Sequence, residues 1–314
     1  MKFIKTGKKF SAIVISIVLF SFHTNAQNLT PIRVAYVPVA TWLPSWVAKE
    51  KGFYEKNGLS ATLTSIQNLS LLPSTMGKQF DFAASTAPDL IKAAANGIDV
   101  MAVTGGVLES SSHQSMQVIV RKDSGITSAK DLKGKIIATP STGAIMHVAT
   151  LAWLKKNGVD PNSIRAVEVP FPNMVDQLKA SRVEALELLQ PFVGQSLAQP
   201  EFIGIGNSML SVDDPVLFVF WIANGTWAKA NRDTVKKWNQ SIADAREFIE
   251  KNPAEARQIL GKYTNLPPLV TEKIPLPFYD ASLKPSQIDV WIKVLRDLNL
   301  LTLPVDAKNI VLTN

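Results

Sequence analysis

Cysteine is absent from all 314 residues. That excludes disulfides, thiolate metal sites and a cysteine nucleophile, and also a lipid-modified cysteine behind an export signal. Histidine is scarce: of three, only His113 and His147 lie beyond the first 26 residues, too few for a multi-histidine metal centre. Charge of one sign is modest as well. The chain has 33 basic and 26 acidic residues, and four of the lysines fall in the first 26 residues with no acid, so the remainder carries 29 − 26 = +3. A nucleic-acid partner is not expected from such a balance. No Gly-x-Ser-x-Gly elbow, no Gly-x-Gly-x-x-Gly loop, no solenoid repeat and no low-complexity tract occurs. Of the acid pairs, Asp213-Asp214 precedes a proline and reads as a solvated turn, and Glu184/Glu187 straddles a helix end and a strand start. The expectation is a protein without catalysis, metal or cofactor.

Long apolar runs are missing too, with one informative exception. Lys2, Lys5, Lys8 and Lys9 precede an uncharged stretch, 10–22, and then Thr24-Asn25-Ala26. This stretch is short for a bilayer, which needs about 20 apolar residues, and small residues at minus three and minus one suit a signal peptidase. We therefore expect a cleaved secretory signal over 1–26 and a periplasmic location, with no lipid tether. The remaining 314 − 26 = 288 residues, in a chain with 46% hydrophobic composition, suffice for a large core or two lobes.

What is present alternates. Short runs rich in Val, Ile and Ala at 32–37, 61–66, 80–84 and 100–103 are separated by helical stretches such as 43–56 and 89–95. The theme restarts at 118–121, 135–139, 164–169 and 185–189, with helices expected from Thr142 and Asn173. After 216–223 the chain turns helical at 232–251, 253–263 and 285–298. Strands alternating with helices predict an α/β fold with mainly parallel sheets. We expect a signal at 1–26, one lobe from 27–114 and 218–314, and a second from 115–217, with hinge strands near 115–121 and 216–223.

In parallel sheets, ligands meet the turns that follow the strands. Those turns hold Val37, Pro38 and Trp42; Gln67 and Asn68; Ser85 and Thr86; Ser141, Thr142 and Gly143; Pro170 to Asn173; and Gln190. Each has a plainer role open to it. Trp42 could cover a sheet edge, Asn68 could satisfy turn amides, Ser85 or Thr86 could cap a helix, and His147 in its Ile-Met-His-Val run could simply be packed. The stretch 135–158 reads as strand, Pro140-Ser141-Thr142-Gly143 turn, and helix closed by Gly158. Ser141 or Thr142 would cap that helix, and its free N–H groups would suit an anion, with no lysine after the glycine as a nucleotide-phosphate loop would have. Trp42, Phe171, Phe192 and Trp221 could line an aromatic slot; His113 lies near the expected crossover between lobes.

The stretch DLKGKIIATPSTGAIMHVATLAWLKKNGVDPNSIRAVEVPFPNMVDQLKASRVEALELLQPF, residues 131–192, resembles the second lobe of the solute-binding proteins of nitrate, sulfonate and taurine type ABC importers, relatives of the thiamine-pyrimidine binding proteins. RVAYVPVATWLPSWVAKEKGFYEKNGL and DFAASTAPDLIKAAANGIDVMAVTGG fit the first lobe. The resemblance implies a two-lobed, type II periplasmic binding-protein fold with the ligand in the interlobe cleft. It also implies a monomer that delivers a small molecule to an inner-membrane permease and its ATPase. Where the family often shows Trp-Asp-Pro-Phe, this chain has Leu189-Gln190-Pro191-Phe192. A neutral amide in place of the carboxylate disfavours taurine, and the missing tryptophan disfavours aliphatic sulfonates. The expected cargo is a small organic anion, carboxylate or sulfonate. The alternatives are a neutral heterocycle such as a pyrimidine, or a sensor role toward a membrane receptor.

Overall fold

The β-branched runs become strands in two separate sheets. In the computed structural model, which describes residues 1–3 and 28–313, the strands are β1 Thr30–Tyr36, β2 Leu59–Ser65, β3 Phe82–Ser85, β4 Val100–Glu109, β5 Met116–Arg121, β6 Ile136–Thr139, β7 Arg165–Glu168, β8 Ala185–Leu189, β9 Phe202–Gly206, β10 Val216–Asn224 and β11 Phe278–Asp280. The expected signal over 1–26 lies almost wholly outside the described residues. Among these residues no helix is long and apolar enough to cross a membrane.

The first sheet runs β11-β4-β10-β3-β1-β2 and the second β7-β6-β8-β5-β9. Only part of each is parallel. β2, β1 and β3 run together, as do β7, β6 and β8, while β4, β10 and β11 in one sheet and β5 and β9 in the other are antiparallel to their neighbours. The sheets are thus mixed, where mainly parallel layers were expected. The reason is that β4 leads into β5 and β9 into β10, and strands feeding a crossing to another sheet need no return helix. β4 is also longer than the expected 100–103. Gly105 and Gly106 lie within the strand. A Cβ on Gly105 would sit 2.1 Å from the Ser282 carbonyl oxygen, and one on Gly106 would sit 2.4 Å from that of Val219, so the glycines admit close neighbours on each side.

Alternation sorts the second sheet's two faces. Leu186 and Leu188 of β8 pack with Met174 and Leu178 in one cluster, while Ala185 and Leu189 join the larger core that continues into the first sheet. Glu187 falls between those two on the same side of the strand and is fully buried. Both crossings meet at Glu109, the last residue of β4 and fully buried. Its carboxylate accepts from the Ser115 and Met116 amides at the start of β5 and from the Asn207 side chain just past β9.

Candidate functional site: the cleft between the sheets

The turns after β1, β2 and β3 face those after β6, β7 and β8, and the space between them divides in three. An inner cavity of about 60 Å³ has apolar walls of Trp42, Phe171, Phe218, Ile145 and Met146. An outer cavity of about 390 Å³ shares Val37, Gln67, Asn68, Pro140 and Phe171 with it and adds Glu168 and Phe192. A side groove of about 270 Å³ holds Lys92, Thr142 and Gly143. Among the described residues, no lysine, arginine or histidine lines the inner or outer cavity.

The polar end of the inner cavity is built on Asp89, in the first turn of the helix Ala87–Ala95. Thr86 Oγ1 donates to Asp89 Oδ2 at 2.6 Å, and Ser70 Oγ donates to Oδ1 at 2.8 Å. Burial pushes this carboxyl above the usual aspartate range, and the two hydroxyls and nearby Lys92 pull it partly back. Ser70 Oγ also lies 3.3 Å from Ser141 Oγ, so one hydroxyl bridges the two sides of the cleft. Two further lining residues carry buried polar atoms without a partner, Thr41 Oγ1 and Trp42 Nε1. Unpaired buried donors of this kind are what a polar ligand would satisfy.

The Pro140 to Gly143 turn differs from its sequence reading. The helix begins at Ile145, its N-cap is Ala144, and no side chain caps it, so neither Ser141 nor Thr142 is the cap. Gly143 stands at φ +75° and carries the chain through a turn that delays the helix. Thr142 donates its N–H (2.8 Å) and its hydroxyl (2.5 Å) to Glu168 Oε1. The Gly143 N–H donates to His147 Nδ1 at 2.8 Å, and Lys92 Nζ donates to the Gly143 carbonyl at 2.7 Å. A carboxylate of the protein itself thus takes two donors assigned to a ligand anion. Those donors hold Glu168 below the usual glutamate range. Burial, with Lys92 second, pushes His147 down to about 4, so it is the neutral acceptor the Gly143 amide needs. Gly143→Ala is expected to lower stability by about 1–2 kcal/mol, because a Cβ there is strained at positive φ and meets Lys92 Nζ at 3.0 Å. Urea denaturation of both proteins measures it; no change would mean that the turn does not need its glycine.

Of the residues singled out in sequence, Val37, Trp42, Asn68, Thr86 and Ser141 line the inner cavity, and Pro38 lines the outer one. Thr142 and Gly143 line the side groove. Ser85, His147, Asn173 and Gln190 line none of the three. Ser85 is buried within the sheet, the Asn173 amide closes a turn onto the Pro170 carbonyl, and Gln190 Oε1 accepts from the Gly194 amide at 3.2 Å. Trp221 packs edge-on against Trp42 at 4.8 Å rather than reaching the cavity. Phe171 and Phe192 stack at 5.5 Å, and His113 lies against Phe278, away from the cleft. Sequence reasoning missed Thr41, Ser70 and Asp89. The Thr86-Ala-Pro-Asp89 spacing was a signal for the last, since a threonine cap three residues before an acid brings the two side chains together.

A family model described as NMT1/THI5 like matches residues 40–256. A protein of Brachyspira hyodysenteriae, provisionally named an ABC transporter periplasmic binding protein, is 23% identical over 283 residues, covering 83% of this chain and 79% of its own. Among solved structures, the periplasmic aliphatic sulphonate binding protein SsuA from Escherichia coli matches with a TM-score of 0.75 at 16% identity, over 90% of this chain and 92% of that one. The periplasmic nitrate-binding protein NrtA from Synechocystis PCC 6803 matches with a TM-score of 0.73 at 14% identity, over 89% and 84%. At such identities the structural likeness shows the fold: two α/β lobes with a cleft between them. Family and fold alike are those of proteins that bind solutes without transforming them.

Proposed function

The chain belongs to the NMT1/THI5-like family, and on that premise we propose that it is the periplasmic substrate-binding component of an ABC importer. Its cargo is a small molecule with a flat apolar body and N–H donors, such as an amino-substituted pyrimidine, held between the lobes for a membrane permease. The observation that carries the ligand class is Asp89, a buried carboxyl at the polar end of an otherwise apolar cavity. With Thr86 and Ser70 already donating to it, further contacts fall on a group that accepts. An organic anion, expected from sequence, would meet that carboxyl, and the turn intended for it already holds Glu168. Trp42, Phe171 and Phe218 offer the flat body apolar and aromatic contact.

A thermal-shift panel of aminopyrimidines, aryl carboxylates, alkyl and aryl sulfonates, taurine and nitrate tests the reading. A ligand at a hundredfold excess over its dissociation constant stabilises the folded state by about 2.7 kcal/mol. The expected result is a shift with aminopyrimidines alone, and a loss of about tenfold to a hundredfold in affinity for Asp89→Ala, the worth of one hydrogen bond to a charged group. A shift with carboxylates or sulfonates instead would overturn the ligand class and leave the carrier role standing.

A further inference from the structure

The outer cavity, more than six times the volume of the inner one, is a mouth of unusual chemistry. Four of its lining residues are prolines, Pro38, Pro140, Pro170 and Pro172, which have no N–H to offer. The Val169 amide is spent on the Thr139 carbonyl, and the neighbouring Thr142 amide on Glu168, while the Phe171 and Phe192 amides open their helices without an acceptor. Its one charged lining residue is Glu168, held ionised by Thr142. Both hydrogen bonds from Thr142 fall on Oε1, which leaves Oε2 free to accept. The stacked rings of Phe171 and Phe192 stand in the same wall. The side-chain amides of Gln67 and Asn68 donate as well as accept, so they favour neither charge.

A pocket with one carboxylate, two aromatic rings and, among the described residues, no cationic side chain is complementary to a positive charge and repels a negative one. We propose that the outer cavity is a subsite for a cationic nitrogen of the cargo, an ammonium or amidinium group, with Glu168 as its counter-ion and Phe171 and Phe192 as its aromatic wall. The proposal deepens the reading of the cleft as a carrier's binding site and rests on it. Cargo would then span both cavities, its flat body inside and its cation at the mouth.

Benzamidine, benzamide and benzoate are nearly the same shape with charges of plus one, zero and minus one. Titration calorimetry of the purified protein with each, at equal ionic strength, isolates the charge. The expected order is benzamidine about tenfold tighter than benzamide, with benzoate weakest. Glu168→Gln keeps an oxygen for Thr142 and removes the charge, so benzamidine should fall to the level of benzamide, while an unchanged melting temperature shows that the turn is intact. Benzamide binding as tightly as benzamidine, or a benzamidine advantage that survives Glu168→Gln, overturns the subsite alone. Benzoate binding best, or none of the three binding at ligand concentrations near ten millimolar, overturns both the subsite and the ligand class above.

Discussion

Replacing Glu187 by glutamine is expected to leave stability at pH 4.5 nearly unchanged and to raise it by about 3 kcal/mol at pH 8. Glu187 is fully buried in the second lobe, and neither carboxyl oxygen has a hydrogen-bond partner. The nearby hydroxyls face elsewhere, Thr139 Oγ1 to the Ser141 carbonyl and Thr150 Oγ1 to Ser208 Oγ. Burial therefore dominates and pushes the carboxyl from 4.5 up to about 7. Between those values the folded protein keeps a proton that the unfolded chain has released, so rising pH removes stability across that window and no further above it. Glutamine mimics the protonated form at every pH.

His147 works in the opposite sense. It moves from 6.5 down to about 4, chiefly through burial, so the unfolded chain binds a proton that the folded one refuses, and stability rises with pH between 4 and 6.5. The two groups nearly cancel in the wild-type protein through the overlap of their windows. Glu187→Gln unmasks the histidine, and its stability should climb through that interval. Chemical denaturation of both proteins at matched pH, taken as a difference, removes the contributions of Asp89 and Glu109, which burial also pushes up. A difference that stays flat from pH 4.5 to 8 would mean that Glu187 finds a partner or that water reaches it.

Why Glu187 escaped the sequence reading shows where such reading stops. Val-Glu-Ala-Leu-Glu-Leu-Leu reads as strand, and the strand is there, yet periodicity cannot say that the second glutamate faces a core shared with Leu189. The turns that follow the strands were legible for a physical reason: parallel strands end on the same side, so Val37, Asn68 and Thr86 gather without any knowledge of tertiary contacts. The polar end of the cavity was not, because Asp89 acquires its setting from Ser70, which reaches it from a different segment of chain. The Thr142 turn is a like case. The free amides were read correctly as donors, but Glu168, more than twenty residues away, reaches them first. Local chemistry announces which groups need partners; only the fold says which partners arrive.

Glu109 is the place where a single substitution should cost the most. Its Oε1 accepts from the Ser115 and Met116 amides and the Asn207 side chain, and its Oε2 accepts from Ser115 Oγ. Glu109→Ala would leave three buried N–H donors without an acceptor at the point where both crossings between the lobes meet. At about 1–3 kcal/mol for each donor left unsatisfied, with some relief from relaxation and entering water, the expected loss is about 4 kcal/mol in urea denaturation. Glu109→Gln separates hydrogen bonding from charge. Its amide oxygen can replace Oε1 for all three donors, and its NH2 group then faces Ser115 Oγ, a hydroxyl that can rotate and accept. The glutamine variant should therefore lose only about 1 kcal/mol. If it fell as far as the alanine variant, the charge rather than the bonding pattern would be holding the crossings together. An alanine variant within 1 kcal/mol of wild type would mean that this carboxylate does not fasten them.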